Sequence, residues 1–222
     1  MKIALIYTGT TPELIELVES EVRQVLGHEV ELSSYEDVSI LGDARDAGYV
    51  TKEAALKLYQ LYLKAIEEGA DILYNLCSSV GEAADASMSI MNYMGIPLVR
   101  VDEEMCREAV RLGRRIGVMA TLPTTLEPTK NTLNRVAREM GRRIELVDGL
   151  IDGAFGLDQG EFKDLMVKKG EELKDQVDVL LFAQGSMAYC EEVVYSACKL
   201  PVLSSPRFGA KELKKVIQAL GR

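Results

Sequence analysis

The two halves of this chain carry the same apolar segments in the same order, and this repetition constrains the fold more than any other feature. Residues 2–11 (KIALIYTGTT) resemble residues 115–124 (RIGVMATLPT), and residues 30–32 (VEL) resemble residues 144–146 (IEL). Residues 71–81 (DILYNLCSSVG) resemble residues 178–188 (DVLLFAQGSMA), and residues 95–99 (GIPLV) resemble residues 199–203 (KLPVL). Matches that recur in one order predict an internal duplication into two similar lobes.

Short apolar runs alternate with amphipathic helical patterns along the whole chain, which is typical of parallel sheets with helical crossovers. The predicted strands are residues 3–7, 30–32, 72–75, 97–101, 116–120, 144–147, 179–183 and 201–203. The predicted helices are residues 12–26, 51–68, 81–94, 125–140, 161–174, 187–198 and 210–220. We therefore predict an α/β fold of two lobes, each a parallel sheet flanked by helices, with the active cleft between them.

The last predicted helix has no counterpart in the first half, so we expect it to pack against the N-terminal lobe. The predicted domains are residues 1–98 with 207–222, and residues 99–206.

Composition and charge exclude several classes of protein. The net charge of −9 is not offset by a basic stripe, which argues against nucleic acid as a partner. The sequence contains neither an apolar stretch of membrane-spanning length nor a signal peptide, so we expect a cytoplasmic protein without a membrane partner. His28 is the only histidine and the four cysteines lack ligand spacing, so we expect no metal site. A single histidine near a turn also argues against Ser-His-Asp and Cys-His triads.

Loops rich in hydroxyl groups and small residues follow four of the predicted strands. In open α/β sheets, ligands bind outside the carboxyl ends of the strands, where loops lead into helix N-termini. Any one of these hydroxyls has a simpler explanation as a helix cap, but together they favour a site for a small-molecule carboxylate or a related small acid. The predicted substrate-binding residues are Thr8, Gly9, Thr10, Asn75, Ser78, Ser79, Thr121, Thr124, Thr125, Gly185 and Ser186.

Cys77 follows a predicted buried strand and precedes a predicted helix. A cysteine in such a place is often a small core residue, but the helix N-terminus is expected to lower the pKa of its thiol and favour the thiolate. We therefore predict a functional role for Cys77. The other cysteines, Cys106, Cys190 and Cys198, fall within helical patterns and are expected to be structural.

The segments around Cys77 and Gln184 resemble the catalytic loops of the aspartate/glutamate/hydantoin racemase superfamily, whose relatives include maleate isomerase and arylmalonate decarboxylase. The residues concerned are 75–79 (NLCSS) and 182–187 (FAQGSM), together with 116–121 (IGVMAT) as a strand and threonine of the second lobe. The resemblance implies racemisation without pyridoxal phosphate or any other cofactor, with two thiols on opposite sides of the substrate. Cys77 matches the first catalytic thiol, whereas Gln184 stands where the second is expected. The resemblance also implies a homodimer or a higher homo-oligomer.

Gln184 keeps alternatives open, because an amide does not exchange a proton at neutral pH. The leading prediction is thiol acid/base chemistry by Cys77 at the carbon next to a carboxylate, as in a racemase or isomerase. One alternative is a one-thiol decarboxylase or lyase, although arylmalonate decarboxylase carries its thiol in the second lobe. A second is a non-catalytic small-acid-binding protein. A third, a flavin protein, is disfavoured by the scarcity of aromatic residues (6%, with no tryptophan).

Overall fold

Two four-stranded parallel sheets form the framework of the protein in its computed structural model, which describes residues 1–154 and 156–221. The chain divides into two compact units. The first unit contains Met1–Val101 and Pro206–Arg222, and the second contains Asp102–Ser205.

The first unit has its sheet between two layers of helices. Its strands are β1 (Lys2–Tyr7), β2 (Glu31–Glu36), β3 (Ile72–Asn75) and β4 (Leu98–Arg100). Its helices are α1 (Pro12–Leu26), α2 (Val38–Ala47), α3 (Lys52–Glu67), α4 (Gly81–Tyr93) and, near the C-terminus, α9 (Ser205–Ala219). A short 3-10 helix, Ser78–Val80, precedes α4.

Alternating side chains of β1 pack on opposite faces of this sheet, because successive residues of a strand point to opposite sides. Ala4 and Ile6 belong to a core with α2, α3 and α4. Ile3 and Leu5 belong to a second core with α1 and α9. Both faces are thus covered, which explains why the strand is apolar throughout rather than alternating.

The second unit repeats this arrangement. Its strands are β5 (Arg115–Ala120), β6 (Glu145–Leu150), β7 (Val179–Phe182) and β8 (Val202–Leu203). Its helices are α5 (Glu103–Leu112), α6 (Pro123–Glu139), α7 (Gln159–Leu173) and α8 (Glu191–Cys198). A 3-10 helix, Gly185–Cys190, precedes α8.

The two sheets have the same strand order, β2-β1-β3-β4 in the first unit and β6-β5-β7-β8 in the second. Equivalent side chains also make equivalent bonds. Asp71 accepts a hydrogen bond from the backbone amide of Lys2 at 2.8 Å, and Asp178 accepts one from the amide of Arg115 at 2.8 Å. Each carboxylate therefore ties the start of the third strand to the start of the first, and the α/β fold with an internal duplication is confirmed.

The structure differs from the sequence prediction in several places. Helices α2 and α5 were not among the predicted helices, although Cys106 of α5 was placed in a helical pattern. The ten residues of α2 bury only Ile40 and Ala44 and so leave a weak apolar pattern. Strand β2 ends four residues later than predicted and strand β6 three residues later, over mainly polar residues that are not fully buried. The helix predicted at residues 187–198 begins instead as the 3-10 helix before α8. Within the described residues, no helix has both the length and the apolar character needed to cross a membrane.

Candidate functional site

Each sheet has one switch point, which is the place where the chain reverses the direction in which strands are added to the sheet. Binding sites of open α/β sheets lie at such switch points. In the first unit it lies between β1 and β3, so the loops after Tyr7 and Asn75 meet there. In the second it lies between β5 and β7, so the loops after Ala120 and Phe182 meet there. These loops contain Cys77 in the first unit and Gln184 in the second.

Cys77 is the residue immediately before the 3-10 helix Ser78–Val80, and its backbone is extended (φ −126°, ψ 114°). The residue is partly exposed. The hydroxyl groups of Thr8 and Ser79 and the backbone amides of Ser79 and Val80 are donors near its sulfur, and they act to lower the pKa of the thiol. The thiol therefore lies across the switch point from the loop after β1 and is surrounded by donors that favour an anion.

The pKa of the Cys77 thiol nevertheless departs from the sequence prediction. Burial raises this pKa, and the surrounding donors lower it by less than burial raises it. The prediction of a lowered pKa was wrong because it considered the helix N-terminus alone, whereas desolvation of the charged form is the larger effect. The thiol is therefore mainly protonated at neutral pH.

A buried chain of hydrogen bonds supports the backbone of Cys77. The Tyr62 hydroxyl donates to Oδ1 of Asn75 at 2.9 Å, and Nδ2 of Asn75 donates to the carbonyl oxygen of Cys77 at 3.0 Å. Tyr62 and Asn75 are both buried, and burial raises the pKa of Tyr62, so its hydroxyl stays protonated and donates. Sequence analysis missed Tyr62, because a tyrosine in a helical pattern is indistinguishable from an ordinary core residue.

Gln184 occupies the same position in the second unit that Cys77 occupies in the first. It too precedes a 3-10 helix with an extended backbone (φ −119°, ψ 131°). Its Oε1 accepts a hydrogen bond from the backbone amide of Thr121 at 2.8 Å, and its Nε2 donates to the Thr121 hydroxyl at 2.8 Å. The switch point of the second unit is thus bridged by Thr121, which lies in the loop after β5.

The remaining predicted residues of the first unit lie in the two segments that meet at its switch point. The buried Thr8 hydroxyl has no hydrogen-bonding partner in the part of the chain that the structure describes. Gly9 and Thr10 are partly exposed, and the Thr10 hydroxyl donates to the next carbonyl group instead of capping α1. Ser78 and Ser79 are buried.

In the second unit, Thr124 and Thr125 are buried in the first turn of α6. The Thr124 hydroxyl meets no hydrogen-bonding partner among the described residues. Gly185 is partly exposed, and Ser186 is exposed. Buried hydroxyls without partners cost free energy unless a ligand or water satisfies them, so Thr8 and Thr124 are the clearest available donors of their units.

The other three cysteines are buried. Burial raises the pKa of Cys190 to about 11, which keeps its thiol protonated. Across residues 1–154 and 156–221, no three His, Cys, Asp or Glu side chains come together as a metal site would require.

Comparison with known proteins agrees with the fold. A family model described as Asp/Glu/Hydantoin racemase matches residues 3–213. A glutamate racemase from Bacillus anthracis is 17% identical with a TM-score of 0.71, covering 99% of this chain and 82% of that one. The aspartate racemase of Picrophilus torridus is 13% identical with a TM-score of 0.68, covering 98% and 94%.

An allantoin racemase from Klebsiella pneumoniae is 16% identical with a TM-score of 0.64, covering 100% of this chain and 89% of that one. A comparison with curated protein sequences found no match. At these identities the solved structures establish the fold, and the family model establishes the family.

Proposed function

The chain belongs to the Asp/Glu/hydantoin racemase family, and on that premise we propose that it is a cofactor-independent enzyme that moves protons at the carbon next to the carboxylate of a small acid. The observation that carries the proposal is the Cys77 thiol. It lies at the switch point of its sheet, partly exposed, with hydroxyl and amide donors near its sulfur that lower its pKa against the effect of burial. A core cysteine has no need of such donors.

In the proposed reaction, the thiolate form of Cys77 removes the proton from the substrate carbon. The electron pair of the broken C–H bond forms an enolate-type anion, whose charge spreads onto the neighbouring carboxyl oxygens. The thiol formed in this step returns a proton to carbon and becomes a thiolate again. Because the pKa of Cys77 is raised, the thiol is the resting form at neutral pH and the rate of proton removal should rise with pH.

The anion needs donors that are already in position, because reorienting them during the reaction would add to the barrier. The Thr8 hydroxyl is suited to this role, since it is buried, has no hydrogen-bonding partner among the described residues and acts on the pKa of the reacting thiol. Asn75 acts differently in this proposal. Both ends of its amide are occupied within the protein, so it positions the Cys77 backbone rather than binding substrate.

A second candidate function is a one-thiol lyase or decarboxylase, and Gln184 is the observation that favours it. The amide of Gln184 cannot supply the second proton transfer of a two-thiol racemase. A single thiol can still protonate a carbanion that forms when a carboxyl group leaves as carbon dioxide. The amide of Gln184, held by Thr121, would then serve as a fixed hydrogen-bonding group.

Product analysis separates these possibilities. The protein is incubated with each enantiomer of aspartate, glutamate and allantoin, and with hydantoins, malonates and maleate, and the products are resolved by chiral chromatography. We expect turnover of at least one compound, and a loss of roughly 100-fold to 10,000-fold in Cys77→Ser. The matched control is Cys198→Ser, which changes a buried thiol in the second unit and should retain turnover.

Inverted product supports a racemase, and loss of a carboxyl group supports the lyase. Turnover that survives in Cys77→Ser contradicts the proposal. Tight binding of a small acid without turnover would instead identify a binding protein.

A further inference from the structure

A fully buried arginine lies next to the loop that carries Cys77. Arg100 is the last residue of β4, and its side chain is 0% exposed. It pairs in register with Asn75 on β3, so the two side chains leave the same face of the sheet. Arginine is almost never fully buried without partners, because its guanidinium group cannot give up its charge.

The guanidinium group of Arg100 crosses the first turn of α4. It donates to Oδ2 of Asp85 at 2.8 Å. It also fills the space beside Gly81, where an added Cβ would lie 2.6 Å from Cζ of the arginine. Gly81 is one residue beyond Val80, whose amide is among the donors that lower the pKa of the Cys77 thiol, and successive Cα atoms are about 3.8 Å apart. The arginine and the thiol therefore approach the same helix end.

A positive charge at the N-terminus of a helix is electrostatically unfavourable, since that end already carries partial positive charge. The position of Arg100 is thus not explained by the stability of α4. An anion at this end gains from both the amides and the guanidinium group, and the thiolate of Cys77 is such an anion. We propose that Arg100 is a positioning residue that stabilises the thiolate of Cys77, and that Asp85 moderates its effect.

The surrounding groups are consistent with this assignment. Tyr62 on α3 lies beside this group, because its hydroxyl donates to Asn75, which donates to the carbonyl oxygen of Cys77 and pairs in register with Arg100. Glu82 also lies in the first turn of α4, but it is exposed and therefore screened by water. In this proposal the arginine favours the thiolate and Asp85 opposes it, in addition to the burial and the donors that already act on the thiol.

A catalytic role of Arg100 rests on the proposed function. Its effect on the Cys77 thiol is tested without substrate, so this effect and the proposed function can fail separately. The rate of Cys77 alkylation by iodoacetamide is followed by mass spectrometry across a range of pH, because this neutral reagent reacts with the thiolate. The midpoint of the profile reports the thiol's ionisation, whereas the plateau at high pH reports access to the sulfur.

Opposite changes are expected on removing the two charges. Asp85→Asn leaves the arginine unopposed, so the midpoint should move to lower pH and alkylation near neutral pH should become about 3-fold to 10-fold faster. Arg100→Met should move the midpoint to higher pH and slow alkylation by a similar factor. Arg100→Lys keeps the charge and should lie within about 3-fold of the unmodified protein.

The matched control is Asp43→Asn, which removes the carboxylate of a more exposed ion pair with Lys57 in the same unit and should leave the midpoint unchanged. A purely structural role for Arg100 predicts changes of one sign, or in the plateau alone, and either result overturns the inference. If Arg100→Met does not fold, Asp85→Asn decides. A midpoint at lower pH supports the inference, and an unchanged or higher midpoint refutes it.

Discussion

Replacing Tyr62 by phenylalanine tests whether the buried hydrogen bonds behind Cys77 hold its loop in place. The substitution removes one hydroxyl and leaves the ring, so it creates little cavity. The lost bond, 2.9 Å long, is the one that the Tyr62 hydroxyl donates to Oδ1 of Asn75. Both residues are buried, so water does not replace the missing donor.

The expected cost follows from the buried acceptor that is left behind. A buried group that loses its hydrogen-bonding partner costs about 1–3 kcal/mol in the free energy of unfolding. For a chain of this length, each kcal/mol lowers the melting temperature by about 2–4 °C, so Tyr62→Phe should melt roughly 2–12 °C lower. Tyr59→Phe is the matched control, since it removes the same hydroxyl from a partly exposed residue of the same helix.

Hydrogen exchange measured by mass spectrometry adds a local readout, which matters because two units need not unfold together. Amides of residues 75–81 should exchange faster in Tyr62→Phe, because Asn75 no longer fixes the carbonyl group of Cys77. Amides of residues 182–188, the corresponding loop of the second unit, should be unchanged. The reasoning is refuted if Tyr62→Phe melts within about 1 °C of the unmodified protein with unchanged exchange, or if Tyr59→Phe has the same effects.

Three further predictions concern packing, pH and the second loop. Gly81→Ala should destabilise the protein by about 1–3 kcal/mol, because the new methyl group meets Arg100, whereas Gly42→Ala, with open space and a helical backbone, should be neutral or stabilising in the same thermal melts. Backbone and side-chain hydrogen bonds lower the pKa of Asp178 to about 2, below the unfolded value of about 3.9. The contribution of Asp178 to the free energy of unfolding is therefore complete above about pH 4 and lost towards pH 2. The urea midpoint of Asp178→Asn should accordingly fall less with acid over this range than that of the unmodified protein. Gln184→Cys should increase inversion of substrate about 10-fold or more over Gln184→Ala in the chiral assay, and equal rates would exclude a second thiol role at this position.

The sequence predicted the eight strands and their repeated order because buried parallel strands are continuously apolar, a pattern that is visible without knowledge of contacts. Helix α2 escaped prediction, since its few buried residues provide little periodicity. The equivalence of Cys77 and Gln184 was visible in the aligned segments, and the structure gives both residues the same backbone position before a 3-10 helix.

The support of the candidate site was not visible in the sequence, because it depends on contacts between distant residues. Tyr62 reaches Asn75 of β3 from α3, and Arg100 reaches the first turn of α4 from β4. An arginine in an otherwise apolar predicted strand was the one available signal. The direction of the pKa shift at Cys77 also required the structure, since it depends on how far burial outweighs the donors around the sulfur.

Solvent deuterium incorporation tests the central claim most directly. Substrates identified in the product assay are incubated with the protein in deuterated water, and proton NMR follows the hydrogen at the carbon next to the carboxylate. The account predicts that deuterium enters at this carbon, that the rate rises with pH as the thiolate fraction grows, and that Cys77→Ser abolishes incorporation. Incorporation that is unaffected by Cys77→Ser, or turnover without any incorporated deuterium, would contradict thiol acid/base chemistry by Cys77.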